Sequence, residues 1–341
     1  MFDEIVSVAN LYRAAHAAAK GKRKSAEVSF FNFRMEKEIE ALHHSLVSGK
    51  YCHGGYGLFK IYDPKEREIA KAPFRDRVVH HAVHDVIEPL IDKKFIFDSY
   101  ACRKDKGTHA ALDRAQGFLK ANRYCFHGDI RKYFPSIDHE TLKGLVRRQI
   151  DDARVLTLLD GIIDSTKSER GLPIGNLTSQ FFANLYLHEL DFFVKHHLGC
   201  RYYIRYMDDV LVFENDRARL EDIRSLMGAF LRDRLKLDLH AGKSQIFDTR
   251  KGIKFLGFRL YADHRRLTTF GVRRFRNRLK RFRYLLGLGL MDEAKAAESV
   301  LCWRAHSDHA DAARLRAKLA KETVGWSERV SGVLGVAKSN S

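Results

Sequence analysis

The chain has 341 residues, of which 45% are hydrophobic and 30% charged, and its formal net charge at pH 7 is +18. This length predicts one large core or two to three subdomains, and such an excess of positive charge predicts a polyanionic partner, most often nucleic acid. No apolar run is long enough to cross a bilayer, no secretion signal opens the sequence, and the five cysteines have neither disulfide nor metal-ligand spacing. These features favour a cytoplasmic protein without a membrane partner.

Residues 1–57 are predicted to form an N-terminal helical extension. A basic run at Lys20–Lys24 interrupts the helical pattern, either as a solvated face or as a contact with an RNA backbone. Phe33–Leu46 follows with apolar residues at three- and four-residue spacing, which predicts an amphipathic helix.

Two short alternating runs flank Asp63–Lys65 and predict a β-hairpin. Its basic side chains, Lys60, Lys65 and Arg67, are suited to bind a triphosphate. A helix should open near Pro73. Arg77 and, further along, Arg103 are interpreted only as ion pairs, either buried or facing RNA.

Tyr124–Ile130 predicts a short apolar strand that ends at Asp129, and Asp138 beyond it is expected to cap a helix. A glycine-rich segment, Gly171–Gln180, then precedes an apolar helix predicted from Phe181 to about Phe193, with Thr178 or Ser179 as its cap. A glycine-rich turn into a helix lets another backbone come close.

The run Tyr202–Phe213 places Asp208 and Asp209 between two β-prone stretches, which predicts a hairpin with the acidic pair at its tip. Paired carboxylates on a rigid tip suit Mg²⁺, although an acidic turn without chemistry fits the same residues. Two-metal phosphoryl transfer needs carboxylates from separate strands, and Asp129 is the candidate for the second strand.

After the hairpin, Leu220–Leu235 predicts an amphipathic helix and Lys243 follows in a polar segment. Arg265–Arg283 is basic without an acidic residue, with apolar positions on one helical face. Such a helix suits a phosphate backbone, and membrane-surface binding is the lesser alternative. Ala294–Lys321 should complete a small helical domain with Trp303 in its core.

The string Tyr206-Met207-Asp208-Asp209 resembles the Tyr-x-Asp-Asp signature of reverse transcriptases. The strings around Asp129, Gly171–Gln180, Lys243 and Phe255–Leu260 are similar to other motifs of that family, in the expected order, over about residues 30–320. The resemblance implies an α+β right-hand polymerase with fingers, an antiparallel-sheet palm and a helical thumb. Fingers and palm would occupy residues 58–262, and the thumb and C-terminal tail residues 263–341.

The resemblance also implies roles for individual residues. The ligands of two Mg²⁺ ions, with Mn²⁺ as an alternative, would be Asp129, Asp208, Asp209 and the backbone carbonyl of Ile130, and Lys243 would protonate the leaving pyrophosphate. The incoming nucleotide would be contacted by Lys60, Lys65, Arg67, Phe134, Ile174, Gly175 and Gln180. Primer and template would be contacted by Tyr206, Met207, Leu256, Gly257, Arg273, Arg274, Arg278 and Arg281.

Two residues depart from the retroviral pattern. Ile174 stands where retroviral enzymes carry Gln, and Gln180 stands where most reverse transcriptases carry Pro. This form resembles the enzymes of diversity-generating retroelements, which misincorporate mainly opposite template adenine. The implied partners are a structured non-coding or template-repeat RNA, a DNA primer and product, deoxynucleoside triphosphates and a small basic accessory protein, in a bacterial or phage-encoded system.

Three alternatives remain open at this stage. A defence-associated bacterial reverse transcriptase would carry the same palm for an anti-phage role. A nuclease would also hold Asp129 and Asp208 around two metal ions, although Ser179-Gln180 and Phe255–Gly257 argue against it. An RNA-binding protein with a decayed site is the non-enzymatic alternative, and the intact Asp129, Asp208 and Asp209 argue against that.

Overall fold

The computed structural model of the protein describes residues 1–62, 66–323 and 328–334. The predicted turn Asp63-Pro64-Lys65, and with it the expected triphosphate contact of Lys65, lies outside these residues. The helices are α1 (Phe2–Val6), α2 (Val8–Ala19), α3 (Ala26–Phe33), α4 (Met35–Val47), α5 (Phe74–Asp92), α6 (Thr108–Ala121), α7 (Tyr133–Ser136), α8 (His139–Arg147), α9 (Ala153–Ile163), α10 (Leu177–Phe192), α11 (Arg217–Leu235), α12 (Thr269–Gly287), α13 (Glu293–Asp308), α14 (Ala313–Thr323) and α15 (Glu328–Leu334).

The strands form three sheets, and the chain is a mixed fold of helices with antiparallel sheets. The strands are β1 (Gly57–Ile61), β2 (Arg67–Lys71), β3 (Tyr124–Asp129), β4 (Tyr202–Tyr206), β5 (Asp209–Glu214), β6 (Gln245–Asp248), β7 (Ile253–Phe255), β8 (Phe258–Leu260) and β9 (Arg265–Leu267). Strands β1 and β2 pair alone, the second sheet has the order β4-β5-β3-β6, and the third has the order β7-β8-β9.

The N-terminal helices follow the predicted pattern. The basic run at Lys20–Lys24 separates α2 from α3. Ser25 is the N-cap residue of α3, and its side chain accepts a hydrogen bond from the backbone N–H of Val28. Helix α4 buries Ile39 and Leu42 on one face, because residues three and four apart share a side of a helix. The amphipathic pattern therefore located this helix correctly.

The first hairpin is also confirmed. Strand β1 pairs with β2 in antiparallel register, from Gly57 opposite Lys71 to Ile61 opposite Arg67. Both predicted ion pairs are present: Arg77 contacts Glu27, and Arg103 contacts Asp92.

The start of α10 differs from the prediction. The helix begins at Leu177, with Asn176 as the N-cap residue and no capping hydrogen bond from its side chain. Thr178 and Ser179 are buried inside the first turn instead of preceding it. The prediction placed the start of the helix at its long apolar run. In the structure the first turn also contains small polar side chains, which are buried by packing, so the helix begins nearer the N-terminus than predicted.

Two compact units make up the chain. The first consists of Met1–Gly107, Phe126–Val212 and Ala218–Gln245, and it contains all three candidate carboxylates. The second consists of Thr108–Cys125, Phe213–Arg217 and the described residues from Ile246 onward.

A helical core lies in the second unit. Phe275 and Leu279 of α12 pack with residues of α13 to α15, and the ring of Trp303 stacks on Phe275 with a centroid distance of 3.8 Å. Trp303 thus packs against the core as predicted. No helix in the described part of the chain is long and apolar enough to cross a membrane.

Candidate active site

The acidic pair lies on the turn between β4 and β5. Met207 and Asp208 form a two-residue link, and Asp209 is the first residue of β5. Two neighbouring strands joined by so short a link run antiparallel, so the predicted hairpin is confirmed. Met207 has a φ of +55°, which is uncommon for a residue other than glycine.

Asp129 reaches the same place from another strand. It ends β3, which is the neighbour of β5 in the sheet, and the N–H of Ile130 donates to the carbonyl of Asp208 at 3.3 Å. Gly128 permits this approach, because a Cβ there would lie 2.8 Å from the Val210 side chain. The sheet order therefore brings together the carboxylates that the sequence places about eighty residues apart.

The segment after α11 holds Asp129 in place. The N–H of His240 donates to the Asp129 carbonyl at 2.7 Å, and the Ser244 hydroxyl lies 3.3 Å from both the N–H and the carbonyl oxygen of Asp129. Lys243 lies between these two contacts in the chain. Its Nζ is 2.8 Å from Oδ1 and 3.0 Å from Oδ2 of Asp129.

The three carboxylates repel one another. Burial raises the pKa of Asp208, the negative charges of Asp129 and Asp209 raise it further, and the value reaches about 6 although Lys243 opposes the shift. A carboxyl group with a raised pKa is one whose negative charge is poorly compensated. A cation bound among these oxygens would supply the missing compensation.

Two side chains of the protein contact these carboxylates directly. Lys243 pairs with Asp129, and Nε2 of His127 makes a short hydrogen bond with Oδ1 of Asp209. Across the described residues, no group of three or more histidine, cysteine and acidic side chains is arranged to hold a metal ion. The donor chemistry nevertheless fits Mg²⁺, which prefers carboxylate and carbonyl oxygens.

Ile130 forms an isolated antiparallel bridge with Leu239. The bonds that flank Ile130 run from the N–H of Arg131 to the carbonyl of Asp238, and from the N–H of His240 to the carbonyl of Asp129. Neither uses the Ile130 carbonyl.

The predicted nucleotide-binding residues occupy two parts of the first unit. Arg67 and Ile174 line one cavity of about 740 Å³, together with Gly171 and Pro135. The carbonyl of Ile174 accepts a hydrogen bond of 3.1 Å from the N–H of Ala70, which joins the glycine-rich loop to β2. Gly175 has a φ of +116°, and a Cβ there would lie 3.0 Å from the Ile69 side chain, so this position favours glycine.

Among the described residues, the other predicted nucleotide contacts do not line this cavity. Lys60 is exposed on β1 and pairs with Glu66 at 2.7 Å. Gln180 is half-buried in the first turn of α10.

Phe134 lies in the short helix α7, five residues after Asp129. It is half-buried, its ring meets that of Tyr133 edge-on, and its carbonyl accepts a hydrogen bond from Leu172 at 2.9 Å. Its neighbour Tyr133 is fully buried, so the two aromatic residues have different environments. Phe134 retains an open side, as a substrate contact requires.

The predicted primer and template residues fall in both units. In the first, Tyr206 and Met207 are half-buried at the hairpin. In the second, Leu256 and Gly257 form the two-residue turn between β7 and β8, with φ values of +47° and +87°. Of the predicted arginines of α12, Arg273, Arg274 and Arg281 are exposed and Arg278 is half-buried.

Sequence reasoning missed several residues of the site. His127 precedes Asp129 by two positions in a strand, and this spacing puts both side chains on one face. Arg205 is a charged residue within the buried strand β4, which is a signal for a buried partner. Ser244 carried no such signal, because its role depends on a backbone that is distant in sequence.

Comparison with known proteins agrees with this geometry. The model of the family described as "Reverse transcriptase (RNA-dependent DNA polymerase)" matches residues 62–260. Protein YkfC of Escherichia coli K12 is 28% identical over 299 residues, which cover 72% of this chain and 78% of YkfC. The group II intron-encoded protein LtrA of Lactococcus lactis is 29% identical over 197 residues, which cover 55% of this chain and 33% of LtrA, so the match spans about a third of that protein.

Among solved structures, apo telomerase from Candida tropicalis aligns with a TM-score of 0.49 at 10% identity, over 62% of this chain and 47% of that one. The family match spans more than half of the 341 residues and includes Asp129, Asp208, Asp209 and Lys243. The chain therefore belongs to the reverse transcriptases, the family of RNA-directed DNA polymerases.

Proposed function

We propose that this protein copies RNA into DNA at Asp129, Asp208 and Asp209. The observation that carries the proposal is the convergence of these carboxylates at neighbouring strand ends, with a negative charge that the protein only partly neutralises. In this reaction a primer 3′-hydroxyl attacks the α-phosphorus of a deoxynucleoside triphosphate, and pyrophosphate leaves.

The residues fit two Mg²⁺ ions. Asp129, Asp208, Asp209 and the Ile130 carbonyl would hold them, and the bound ions supply an activated 3′-oxygen and charge neutralisation of the triphosphate. Lys243 has an ammonium group at the same site, from which it can donate a proton to the departing pyrophosphate. His127 holds Asp209 through its hydrogen bond.

The rest of the chain supplies binding surfaces in this proposal. The hairpin β1–β2 and the helices beside it form the fingers, the sheet β4-β5-β3-β6 forms the palm, and α12–α15 form the thumb. Arg273, Arg274, Arg278 and Arg281 bind the phosphate backbone of the RNA–DNA duplex without reading its sequence. The turn at Leu256 and Gly257 contacts the primer. Likeness to a group II intron-encoded protein supports a structured RNA as the template.

An aromatic side chain beneath the incoming sugar would collide with a 2′-hydroxyl. We expect Phe134→Ala to retain DNA synthesis and to raise ribonucleotide incorporation by about tenfold or more, which corresponds to roughly 1.4 kcal/mol of lost discrimination. The measurement is kcat/KM for dTTP and UTP opposite the same template base. Tyr133→Phe is the matched control, since Tyr133 is buried and its hydroxyl donates to the Ala183 carbonyl. Unchanged sugar selectivity in a folded, active Phe134→Ala protein would assign Phe134 to packing alone.

We further propose that the enzyme belongs to a diversity-generating retroelement and is error-prone at template adenines. The support is Ile174, which lines the cavity next to Arg67 and has no side-chain donor or acceptor for the nucleotide sugar. If the correctly paired nucleotide is bound less tightly in the transition state, the enzyme discriminates less well against mispaired nucleotides. Each 1.4 kcal/mol of lost binding free energy lowers this discrimination about tenfold. The adenine bias itself rests only on the family resemblance.

The test copies a defined RNA template with the wild type and with Ile174→Gln, followed by sequencing of the products. We expect a high error rate at adenines for the wild type and about a tenfold lower rate for Ile174→Gln. If the wild type copies adenine as faithfully as other bases, the retroelement assignment fails and a defence-type reverse transcriptase takes its place. If both proteins are equally error-prone, the assignment stands and Ile174 has no part in it.

The general activity is tested with poly(rA), oligo(dT), dTTP and Mg²⁺. Primer extension supports the polymerase, primer degradation would identify a nuclease, and binding without either reaction would identify an RNA-binding protein.

A further inference from the structure

A fully buried ion pair lies beneath the catalytic turn. Arg205 and Asp191 are both 0% exposed, and they make two bonds, from Nε to Oδ1 at 2.7 Å and from Nη2 to Oδ2 at 2.6 Å. The hydroxyl of Tyr203 donates to the same Asp191 at 2.7 Å. Apolar residues of similar size often stabilise a core as well as a buried ion pair does. A contribution to folding stability therefore does not by itself explain why this ion pair is present.

The guanidinium also reaches the turn itself. Its Nη1 donates to the side-chain oxygen of Asn184 at 3.0 Å and to the carbonyl of Met207 at 3.3 Å. Asp191 and Asn184 belong to α10, whereas Met207 is the first residue of the acidic turn. Arg205 therefore connects a rigid helix to the backbone that carries Asp208.

The turn needs such a connection because its backbone is strained. A positive φ at the first position of a two-residue hairpin link favours glycine, asparagine or aspartate there, and Met207 adopts +55° instead. The next carbonyl, that of Asp208, accepts from the N–H of Ile130. The two successive carbonyls are thus fixed from two sides, one by Arg205 and one by the residue that follows Asp129.

The backbone of Arg205 is anchored as well. Its N–H donates to the Asp98 carbonyl and its carbonyl accepts from Tyr100, both at 3.0 Å. The side chain therefore extends from a fixed point.

We propose that Arg205, with Asp191 as its anchor, is a positioning residue that fixes the orientation of Asp208 relative to Asp129. The proposal rests on the polymerase function proposed above. The forked geometry of arginine is essential to it, because one guanidinium satisfies Asp191, Asn184 and the Met207 carbonyl at once.

The test uses the double variant Arg205→Met/Asp191→Leu, which removes both charges together and deletes the bond to Met207. We expect its unfolding temperature to stay within about 5 °C of the wild type. We expect kcat for nucleotide addition to fall about 100-fold, because a displacement of about 1 Å at a reacting group has an effect of this size. The KM for dTTP should change little. The Mg²⁺ concentration for half-maximal rate should rise as well.

Tyr203→Phe is the matched control. It removes a hydrogen bond to the same buried Asp191 but leaves the guanidinium on Met207, so its kcat and Mg²⁺ requirement should equal those of the wild type. Should the double variant not fold, Arg205→Lys keeps the charge and loses the fork, and the same drop in kcat without a change in KM is expected.

The positioning role would be overturned if the folded double variant, or Arg205→Lys, had the kcat and the Mg²⁺ requirement of the wild type. Equal losses in Tyr203→Phe and the double variant would also overturn it, because they would indicate general damage to the core. If the wild type itself does not extend a primer, the proposed polymerase function fails instead.

Discussion

Asp208→Asn is expected to reduce primer extension by at least about 10³-fold, because the substitution removes one negative charge from the acidic cluster that is proposed to hold Mg²⁺. The pKa of about 6 reports how strongly burial and the neighbouring carboxylates act on Asp208. Asparagine keeps the size of the side chain but not its charge. Single-turnover extension of an oligo(dT) primer on poly(rA) measures the loss.

Binding should persist in this variant. The basic helix α12 lies in the other compact unit and is proposed to supply most of the affinity for an RNA–DNA duplex, which fluorescence anisotropy can measure. Asp138→Asn is the control, because Asp138 caps α8 and pairs with Lys236 outside the acidic cluster. Near-normal extension by Asp208→Asn would exclude Asp208 as a metal ligand.

Lys243→Met is expected to lower the maximal rate of nucleotide addition by about 10²-fold, which is the usual contribution of a general acid. The same substitution should also lower the Mg²⁺ concentration that the enzyme requires. The ammonium group lies within 3.0 Å of both Asp129 oxygens, so it competes with a cation for them. Without it, a lower Mg²⁺ concentration should give the half-maximal rate.

This combination separates a role in chemistry from a loss of folding, which would lower the rate without lowering the Mg²⁺ requirement. Lys236→Met is the matched control, since Lys236 has similar exposure and pairs with Asp138 at 2.8 Å. A Lys243→Met enzyme with a wild-type maximal rate would rule out proton donation by this residue. An unchanged Mg²⁺ requirement would rule out the competition.

The local elements of the fold are predictable from the order of the amino acids alone. Helix α4, the hairpin β1–β2 and the strand that ends at Asp129 follow from spacing of apolar residues and from turn residues, which act within a few positions. The acidic turn at Asp208 was predictable for the same reason. The start of α10 was misplaced, because burial of Thr178 and Ser179 depends on what packs against them.

Which of these elements contact one another depends on long-range packing of the chain. That β3 lies beside β5, and so Asp129 beside Asp208, is a property of the sheet order, which no local pattern encodes. The same holds for Lys243 on Asp129 and for His127 on Asp209. These contacts join residues that are about eighty or more positions apart, and they form only when burial of apolar surface brings their strands together.

The pair of Arg205 and Asp191 shows most clearly which contacts a local sequence pattern does not predict. A charged residue in a buried strand indicates that a partner exists, but not that the partner lies on α10 or that the guanidinium also reaches the Met207 carbonyl. Desolvation makes each buried charge unfavourable alone, so the pairing is fixed by the packed core that surrounds it. The sequence identified the candidate catalytic residues, and the contact of β4 with α10 determines how their turn is held.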